Sequence, residues 1–450
     1  MLKPLRRRCY TVGLRTDERR SVEVRKAVLI FMAIIDPLAF LQAWSGRRLY
    51  LWGASPAGLY LGRRLKHLGF PLHAFIDRNP ALADRMLDGL PVLNPKKALA
   101  GRQSSAAFIL LSDMRHQEMA EQCLAAGLRE GEDFIAHRHL LPFDFFVDVS
   151  GYCNLRCLSC PRGNLTEQPR GGFMRLATFR QVLNKIVREV PLSSQVSVYN
   201  WNEPLLNPEL PGMISYIREK GLLPLISSNL NTASDFREVI KARPHWFRVS
   251  TSGFGHNYEV VHQGGNWERL HDNMRLLREW RSEYCPEMEI ELYFHVYRHN
   301  YGEDRGRIRH LAEELGFNYR EILGLASPLN NVSDIIERRP LTANMNKSRE
   351  LLFVDPQSVR ERMAAERGIP CVQANHLAVS WDLKVEQCSI WMTPNSPLAE
   401  NFLAAPLSEL KKARQNSLLC RHCHNQGLHR YDLIAETLTP DILASMDEPA

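Results

Sequence analysis

The chain has 450 residues, the length of about three domains at the usual ~150 residues each. Hydrophobic residues make up 44% and charged residues 24% of it, a balance that excludes general disorder and a membrane bundle. Most of the net charge of +7 comes from residues 1–26, which have nine Lys or Arg and three Asp or Glu. Because the rest of the chain is nearly neutral, we expect no nucleic-acid partner.

The first predicted segment, residues 1–45, is a basic arm that leads into an amphipathic helix over residues 22–44, kinked at Pro37. Its apolar run, residues 27–35, is shorter than the roughly 20 residues needed to cross a bilayer. No small-residue cleavage site follows that run. We therefore expect a cytoplasmic protein without a transmembrane segment. The arginines at positions 6–8 leave weak contact with a membrane surface as an alternative.

Residues 46–142 have the pattern of a small Rossmann-like domain. A buried strand precedes the turn Gly53-Ala-Ser-Pro-Ala-Gly58 and a helical stretch, and a second strand ends at Asp77. Ser55 stands where a second glycine would let the backbone approach a pyrophosphate. Nucleotide binding and packing alone are both consistent with this turn. The predicted strands are residues 48–52, 73–76 and 106–111, and a helical stretch follows at residues 115–128.

A second α/β series fills residues 143–330. Its six strand patterns alternate with amphipathic helical segments, which is typical of a parallel, partly closed TIM-type barrel of the (β/α)6 kind. In such barrels the functional residues gather at the carboxyl ends of the strands. The predicted strands are residues 143–149, 196–201, 223–228, 246–250, 289–297 and 319–325, and the predicted helices are residues 175–190, 208–220, 234–243, 266–280 and 304–315. Residues 331–450 have a more irregular pattern.

Ten cysteines are the most informative count in the sequence. Without an export signal, closely spaced cysteines favour metal binding over disulfides. Cys153, Cys157 and Cys160 follow the first barrel strand, and their spacing lets three thiolates converge on one inorganic centre. Three ligands would leave one iron of a 4Fe–4S cluster without a protein ligand, and open positions are typical of metals used in catalysis. Half of a zinc site and coincidence are the alternatives.

Residues 143–325 resemble the radical SAM enzymes, whose hallmark is C-x-x-x-C-x-x-C on the loop after the first barrel strand. The resemblance implies that Cys153, Cys157 and Cys160 hold a 4Fe–4S cluster whose open iron chelates S-adenosylmethionine (AdoMet). It also implies reductive cleavage of AdoMet to a 5′-deoxyadenosyl radical that abstracts hydrogen from a substrate. Ser159 departs from the aromatic residue that many members have at this position.

Further positions match the resemblance in part. The segment after the second strand takes the place of the family's G-G-E-P segment, whose carbonyls and acid contact the methionine amino group. Polar residues at the end of the fourth strand are candidate contacts to the adenosyl ribose, with a simple strand-end turn as the alternative. The candidate AdoMet contacts are Asn202, Glu203, Pro204, Ser250 and Ser252, and His295 and Arg298 are candidate substrate or cofactor contacts. Asn202 replaces a glycine of the family pattern.

The second cysteine group lies in residues 331–450 and consists of Cys371, Cys388, Cys420 and Cys423. Four protein thiolates complete a closed site. The resemblance extends here to radical SAM enzymes with a C-terminal SPASM or twitch extension, and it implies one auxiliary 4Fe–4S cluster. A structural zinc ion is the alternative, because C-x-x-C suits tetrahedral zinc and histidines lie nearby.

The resemblance implies an enzyme, and our leading hypothesis is a radical SAM oxidoreductase or epimerase that acts on a small, carbohydrate-type or nucleotide-linked substrate. The Rossmann-like pattern and the run at residues 90–95, which resembles small Rossmann domains beside sugar-modifying enzymes, favour this by fold analogy. The alternatives are a radical SAM maturase of a ribosomal peptide and, in another class, a non-catalytic nucleotide-binding scaffold with structural metal sites. Flavodoxin or ferredoxin is the expected electron donor.

Overall fold

The computed structural model describes residues 37–100, 107–112, 116–141, 143–165, 171–393 and 395–437. They form two sheets of mainly parallel strands, flanked by helices, and a largely helical segment that follows the second sheet. Of the helix expected over residues 22–44, the structure describes α1 (Pro37–Ala43), and the remainder lies outside the described residues.

The first sheet has six strands in the order β3-β4-β2-β1-β5-β6. Strand β1 lies between β2 and β5 and pairs parallel with both, so the strand order reverses there, as in doubly wound folds. Its strands are β1 (Arg48–Trp52), β2 (Leu72–Ile76), β3 (Met86–Leu87), β4 (Leu90–Leu93), β5 (Ala107–Leu111) and β6 (Phe134–Ala136), and its helices are α2 (Pro56–His67), α3 (Pro95–Leu99), α4 (His116–Ala125) and α5 (His137–Leu140). Strands β3, β4 and β6 were not predicted from the sequence.

Both faces of the first sheet are covered by apolar side chains. Leu51 and Phe75 belong to the core on one face, whereas the neighbouring residues Trp52 and Ile76 belong to the core on the other. Gly58 allows α2 to pack against the turn that follows β1, because a Cβ at this position would lie 1.9 Å from a backbone carbonyl oxygen.

The second sheet has seven strands, all parallel, in the order β12-β11-β10-β9-β8-β7-β13. Six of these strands, β7 to β12, lie side by side in chain order, which confirms the expected parallel, partly closed barrel. The two edge strands are β12 and β13, and within the described residues they do not pair with each other to close the barrel. The strands are β7 (Asp144–Val147), β8 (Gln195–Ser197), β9 (Leu223–Ser228), β10 (Trp246–Thr251), β11 (Glu289–Val296) and β12 (Asn318–Leu323), and the helices are α6 (Pro161–Asn164), α7 (Leu176–Glu189), α8 (Leu210–Glu219), α9 (Arg237–Lys241), α10 (His256–Val261), α11 (Trp267–Tyr284) and α12 (Glu303–Leu315).

The sequence dictates the orientation of these helices through apolar spacing. In α7 the buried residues Phe179, Val182, Leu183 and Ile186 recur every three or four positions, so they form one stripe that packs into the core. Burial of each such side chain is worth about 1.5–3 kcal/mol. None of the helices that the structure describes is both long and apolar enough to span a bilayer.

Strand β13 (His376–Val379) comes from the segment after the barrel and pairs parallel with β7, with Leu377 opposite Phe145 and Val379 opposite Val147. The sequence analysis treated this segment as irregular, so the strand is a correction: four residues are too few for a period to be recognised. The helices of the segment are α13 (Leu329–Ile336), α14 (Ala343–Leu351), α15 (Arg360–Ala365), α16 (Leu407–Gln415), α17 (Leu418–Gln426) and α18 (Tyr431–Glu436).

Candidate functional site

The loop after β7 brings three cysteines to the carboxyl edge of the second sheet. Cys153, Cys157 and Cys160 all line one cavity of about 330 Å³. Because the carboxyl ends of parallel strands meet at one edge, the residues at the ends of the neighbouring strands complete the wall. They include Asn200, Asn202, Glu203, Ser228, Asn229, Ser250, Ser252, His295 and Tyr297.

The three thiols are buried near one another. Burial raises the pKa of Cys153 to about 12 and that of Cys160 to about 11, and it raises the pKa of Cys157 well above its usual value. Negative charge on the neighbouring cysteines raises the pKa of Cys153 and Cys157 further. Since metals bind the thiolate form, a positively charged centre between them is needed to hold the three as thiolates.

The arrangement of the thiols suits a cluster better than a single ion. Among the described residues, no three His, Cys, Asp or Glu side chains lie close enough together to hold one metal ion. A 4Fe–4S cluster, by contrast, takes one thiolate on each of several irons, so its ligands are spread more widely. The cavity lining contains three cysteines, Cys153, Cys157 and Cys160, and three thiolates are the donor set of a 4Fe–4S cluster with one iron left open.

Glu203 forms part of the cavity wall just after β8 and is 2% exposed. Its Oε1 atom accepts hydrogen bonds from the Ser228 hydroxyl at 2.8 Å and the Leu205 amide at 3.0 Å, and its Oε2 atom accepts one from the Asn229 amide at 2.8 Å. Burial nevertheless raises the pKa of Glu203 to about 7. A cationic group in the cavity would stabilise the charged carboxylate.

Asn202 lines the same cavity, but its side chain holds neighbouring residues in place. Its Nδ2 atom donates to Asp148 Oδ2 at 2.6 Å, and its Oδ1 atom accepts from Arg162 Nε at 2.6 Å. Pro204 begins a short 3₁₀ helix, Pro204–Leu206, and is not among the residues that line the cavity. The structure thus brings Asn202 and Glu203 to the cavity and leaves Pro204 outside.

The two serines predicted at the end of the fourth barrel strand, Ser250 and Ser252, both line the cavity. The hydroxyl of Ser252 lies 2.9 Å from Nε2 of His262, whose Nδ1 atom lies 3.3 Å from Cys157 Sγ. Sequence analysis did not single out His262, because a lone histidine after a helix gives no signal. His295 also lines the cavity, whereas Arg298 lies outside it and donates to the Leu352 carbonyl.

Ser159, which replaces the aromatic residue of the family pattern, lies beside an aromatic ring from another element. Its hydroxyl is 3.1 Å from Tyr297 Oη and 2.6 Å from Ser348 Oγ. The Tyr297 ring packs against Gly324, where a Cβ would lie 2.2 Å from the ring. A phenol at the end of β11 thus occupies the space next to the cysteine loop.

The second cysteine group draws together three separate stretches of chain. Cys371 precedes a 3₁₀ helix, and Cys388 follows β13. Cys420 and Cys423 both lie within α17, about one helical turn apart. Burial raises the pKa of Cys371 and of Cys423, and it raises the pKa of Cys388 to about 11. The negative charge of the neighbouring cysteines raises each of these three pKa values further. The four thiols are therefore neighbours, and the described residues again form no site for a single ion. This fits an auxiliary cluster and gives the zinc alternative no support.

Arg414 on α16 lies among these thiols and is 6% exposed. Its guanidinium donates to the carbonyl oxygens of Ala374, His376 and Glu386, and its charge interacts with Cys371, Cys388 and Cys420. A buried cation next to four thiols reduces the cost of holding them as thiolates. The sequence carries no sign of this role, because an arginine six residues before Cys420 in a basic helix looks like any solvent-exposed charge.

The glycine turn of the first sheet is held together by its own residues. The Ala54 amide donates to Asp77 Oδ2 at 2.8 Å, the Asn79 amide donates to Asp77 Oδ1 at 2.8 Å, and the Gly58 amide donates to the Ser55 hydroxyl at 3.3 Å. In a nucleotide-binding domain the carboxylate at the end of the second strand would bind a ribose, and the amides of the glycine turn would bind a pyrophosphate. Here the Asp77 carboxylate accepts from the Ala54 amide of that turn instead. Nucleotide binding here stays a prediction.

No protein-family model matches the sequence, and no curated protein matches it either. Solved structures with a similar arrangement include BtrN in complex with AdoMet and 2-DOIA (13% identity, TM-score 0.36, 63% of this chain and 88% of that chain). A second is native anSMEcpe with bound AdoMet, which is 13% identical with a TM-score of 0.41 over 65% of this chain and 84% of that chain. A third is Streptococcus suis SuiB bound to precursor peptide SuiA, which is 10% identical with a TM-score of 0.42 over 83% of each chain. The first two of these structures hold AdoMet.

Proposed function

We propose that this chain is a radical SAM enzyme. The observation that carries the proposal is the convergence of Cys153, Cys157 and Cys160 in one cavity at the carboxyl edge of an open, parallel six-strand series. When bound there, a 4Fe–4S cluster supplies the electron that cleaves AdoMet to methionine and a 5′-deoxyadenosyl radical. The three cysteines would hold the cluster and leave one iron for AdoMet.

The other wall residues would position AdoMet. Glu203 offers a carboxylate to the methionine amino group, and its buried setting excludes water that would compete for that contact. Asn202 keeps the wall in place through Asp148 and Arg162. Ser250 and Ser252, at the end of β10, line the cavity and would offer their hydroxyls to the ribose. These assignments are supported by position on the strand ends.

The second cysteine group would hold an auxiliary 4Fe–4S cluster. Cys371, Cys388, Cys420 and Cys423 supply four thiolates, and Arg414 offsets part of their negative charge. A closed auxiliary cluster in a radical enzyme is suited to accept an electron from a substrate radical or to return one. The net reaction would then be an oxidation or a redox-neutral epimerisation.

The substrate that we propose is small and carbohydrate-type or nucleotide-linked. Support comes from the first sheet, whose strand order reverses at β1 beside the glycine turn, a place where α/β folds bind ligands. We place the enzyme in the cytoplasm, with flavodoxin or ferredoxin as its electron donor. Residues 46–142, 143–330 and 331–450 would be its three structural units.

Anaerobic reconstitution of the full-length chain with iron and sulfide tests the proposal. With dithionite and AdoMet we expect 5′-deoxyadenosine, and we expect about eight iron atoms per chain, four for each cluster. Cys157→Ala should abolish the product, whereas Cys285→Ala, a buried cysteine outside both groups, should retain it. Colourless protein with zinc on the first group would refute the proposal. Product formed only with a precursor peptide would favour a peptide maturase.

A further inference from the structure

Three large apolar side chains are exposed around the second cysteine group. Leu418 is 75% exposed, and Ile369 and Val372 are each 43% exposed. Each of them lies within two residues of Cys371 or Cys420, and the negative charge of Cys420 acts on Cys371. A single exposed apolar residue is ordinary on a protein surface, whereas a group of them at one place is typical of an interaction site. We call these three residues the apolar patch.

The two stretches of chain that carry the apolar patch are held together. The Ile369 carbonyl oxygen accepts a hydrogen bond from Nε2 of His429 at 2.9 Å. The His429 ring stacks on the ring of His424 in α17, with 4.1 Å between the ring centroids. Ser417 caps the amino end of the same helix directly before Leu418. The residues around Cys371 and the start of α17 therefore belong to one surface.

Two exposed arginines border the apolar patch. Arg367 precedes Ile369 by two residues. Arg421 follows Leu418 by three residues on α17, so these two side chains lie on the same face of that helix. Neither arginine forms an ion pair with a carboxylate of the described residues. Their positive charges are therefore not offset by a direct partner within this part of the chain.

The other charges near the apolar patch do not cancel these two cations. Residues 366–374 and 409–424 contain two Glu and, besides Arg414 that faces the thiols, four Lys or Arg. Two carboxylates of this region already have arginine partners. The pairs are Glu366 with Arg362 and Arg430, and Glu337 with Arg339. An apolar centre with a positive rim complements a protein surface that is apolar at its contact and acidic around it.

The cysteines next to the apolar patch lie close to the surface. Cys371 and Cys420 are partly exposed, whereas Cys423 is buried. A cluster held by this group would lie just beneath the patch, and a protein seated there would be near enough to exchange electrons with it. Contacts between electron carriers and their partners are small, below about 1,200 Å² in total. Three apolar side chains and two arginines suit a contact of that size.

We propose that the apolar patch, with Arg367 and Arg421, binds a small, acidic electron-carrier protein that removes an electron from the second cluster. This rests on the proposed function, because the second cluster is part of it. In this step the reduced cluster loses one electron and the oxidised carrier gains it. No bond forms or breaks, and no proton moves. The partner class is an acidic ferredoxin.

Calorimetric titration of the full-length, reconstituted protein with an oxidised, plant-type 2Fe–2S ferredoxin tests this inference. We expect saturable binding. It should weaken about tenfold or more when salt is raised from about 0.1 M to about 1 M, because the screening length falls from about 10 Å to about 3 Å.

Leu418→Asp and Arg421→Glu should each weaken ferredoxin binding about tenfold or more, as expected for central contacts of an interface. Leu418 is exposed, and an acidic residue in the first turn favours a helix, so the first variant should fold. The matched controls are Leu124→Asp on α4 and Arg275→Glu on α11, two exposed positions outside the cysteine groups, and both should bind as the wild type does. Iron content and thermal melting establish that each variant is folded.

Electron transfer is followed in Cys157→Ala, which should keep only the second cluster. After reduction with dithionite and removal of the excess, stopped-flow absorbance should show one electron passing from that cluster to oxidised ferredoxin. Leu418→Asp in the same background should slow this transfer about tenfold or more, because the carrier is bound less often. Leu124→Asp in that background should leave the rate unchanged.

Several outcomes would overturn the inference: no saturable binding, equal binding by the wild type and both patch variants, or no electron transfer to ferredoxin. Sedimentation of the protein alone provides another arm. A dimer that Leu418→Asp dissociates would show that a second copy of the chain covers the apolar patch, and it would also overturn the inference. If AdoMet is cleaved with dithionite but ferredoxin does not bind, only this inference fails; if ferredoxin binds through the patch but AdoMet is not cleaved, only the proposed function fails.

Discussion

Cys157 Sγ and His262 Nδ1 lie 3.3 Å apart, although 105 residues separate them along the chain. Burial lowers the pKa of His262 to about 3, so the imidazole is neutral and has a single N–H. The Tyr258 ring stacks on it at 4.6 Å, and Ser252 Oγ lies 2.9 Å from its other nitrogen. If Ser252 donates to Nε2, the N–H of His262 is directed at the sulfur of Cys157.

We therefore expect His262→Leu to lower the reduction potential of the first cluster. An N–H donor stabilises the more negative, reduced state of an iron–sulfur centre, and leucine removes it. The measurement is an EPR-monitored redox titration of reconstituted protein. His295→Leu is the matched control, because His295 lines the same cavity but bonds to the Thr251 carbonyl and not to a cysteine. Equal potentials in the wild type and His262→Leu would contradict this assignment.

Glu203 should make stability depend on pH. Its pKa is raised from 4.5 to about 7 in the folded chain, so the folded state binds this proton more tightly than the unfolded state does. Stability is therefore lost as pH rises from about 4.5 to 7, by up to about 3 kcal/mol. Glu203→Gln should lose less stability over this range than the wild type, as measured by urea unfolding at pH 5 and pH 7.5. Parallel pH profiles of the two proteins would contradict the prediction.

Gly324→Ala should destabilise the cavity wall. The added methyl group would lie 2.2 Å from the Tyr297 ring, which would have to move away from Ser159. Overpacking of this kind costs about 1–3 kcal/mol. Gly306→Ala is the control, because Gly306 lies within α12 with nothing inside 4 Å of the new methyl group, and alanine favours a helix. A melting temperature of Gly324→Ala that is not lower than that of Gly306→Ala would contradict this account.

Cys423→Ala should remove the second cluster and loosen the segment around it. The cluster ties together three stretches of chain, so its loss removes a metal-dependent part of the folding energy. We expect about four iron atoms per chain instead of eight, and faster proteolysis between residues 371 and 423, with some AdoMet cleavage retained. Cys285→Ala should behave as the wild type does. Eight iron atoms in Cys423→Ala would exclude Cys423 as a ligand.

The sequence was sufficient to predict the helices and strands whose apolar residues recur with a clear period. The strands at residues 223–228 and the buried stripe of α7 could be predicted because each contains its own apolar alternation. The cysteine loop was predictable because three ligands lie within eight residues. Its position after β7 then placed it at the carboxyl edge of the sheet.

The features that sequence analysis missed depend on contacts between distant residues. Strand β13 is short, and its pairing with β7 is set by the packing of the whole sheet. His262 and Arg414 gain their roles only because folding brings them to Cys157 and to the second cysteine group.

The partner of β7 on its outer side is synthesised more than 200 residues after it, because β13 begins at His376. Until the ribosome has delivered that stretch, β7 exposes a row of unpaired amides and carbonyls to any other nascent strand. A truncated product that stops short of His376 would keep this edge exposed and would be prone to aggregate. The strand that covers β7 therefore leaves the ribosome together with Cys371 and Cys388, which flank it in the sequence.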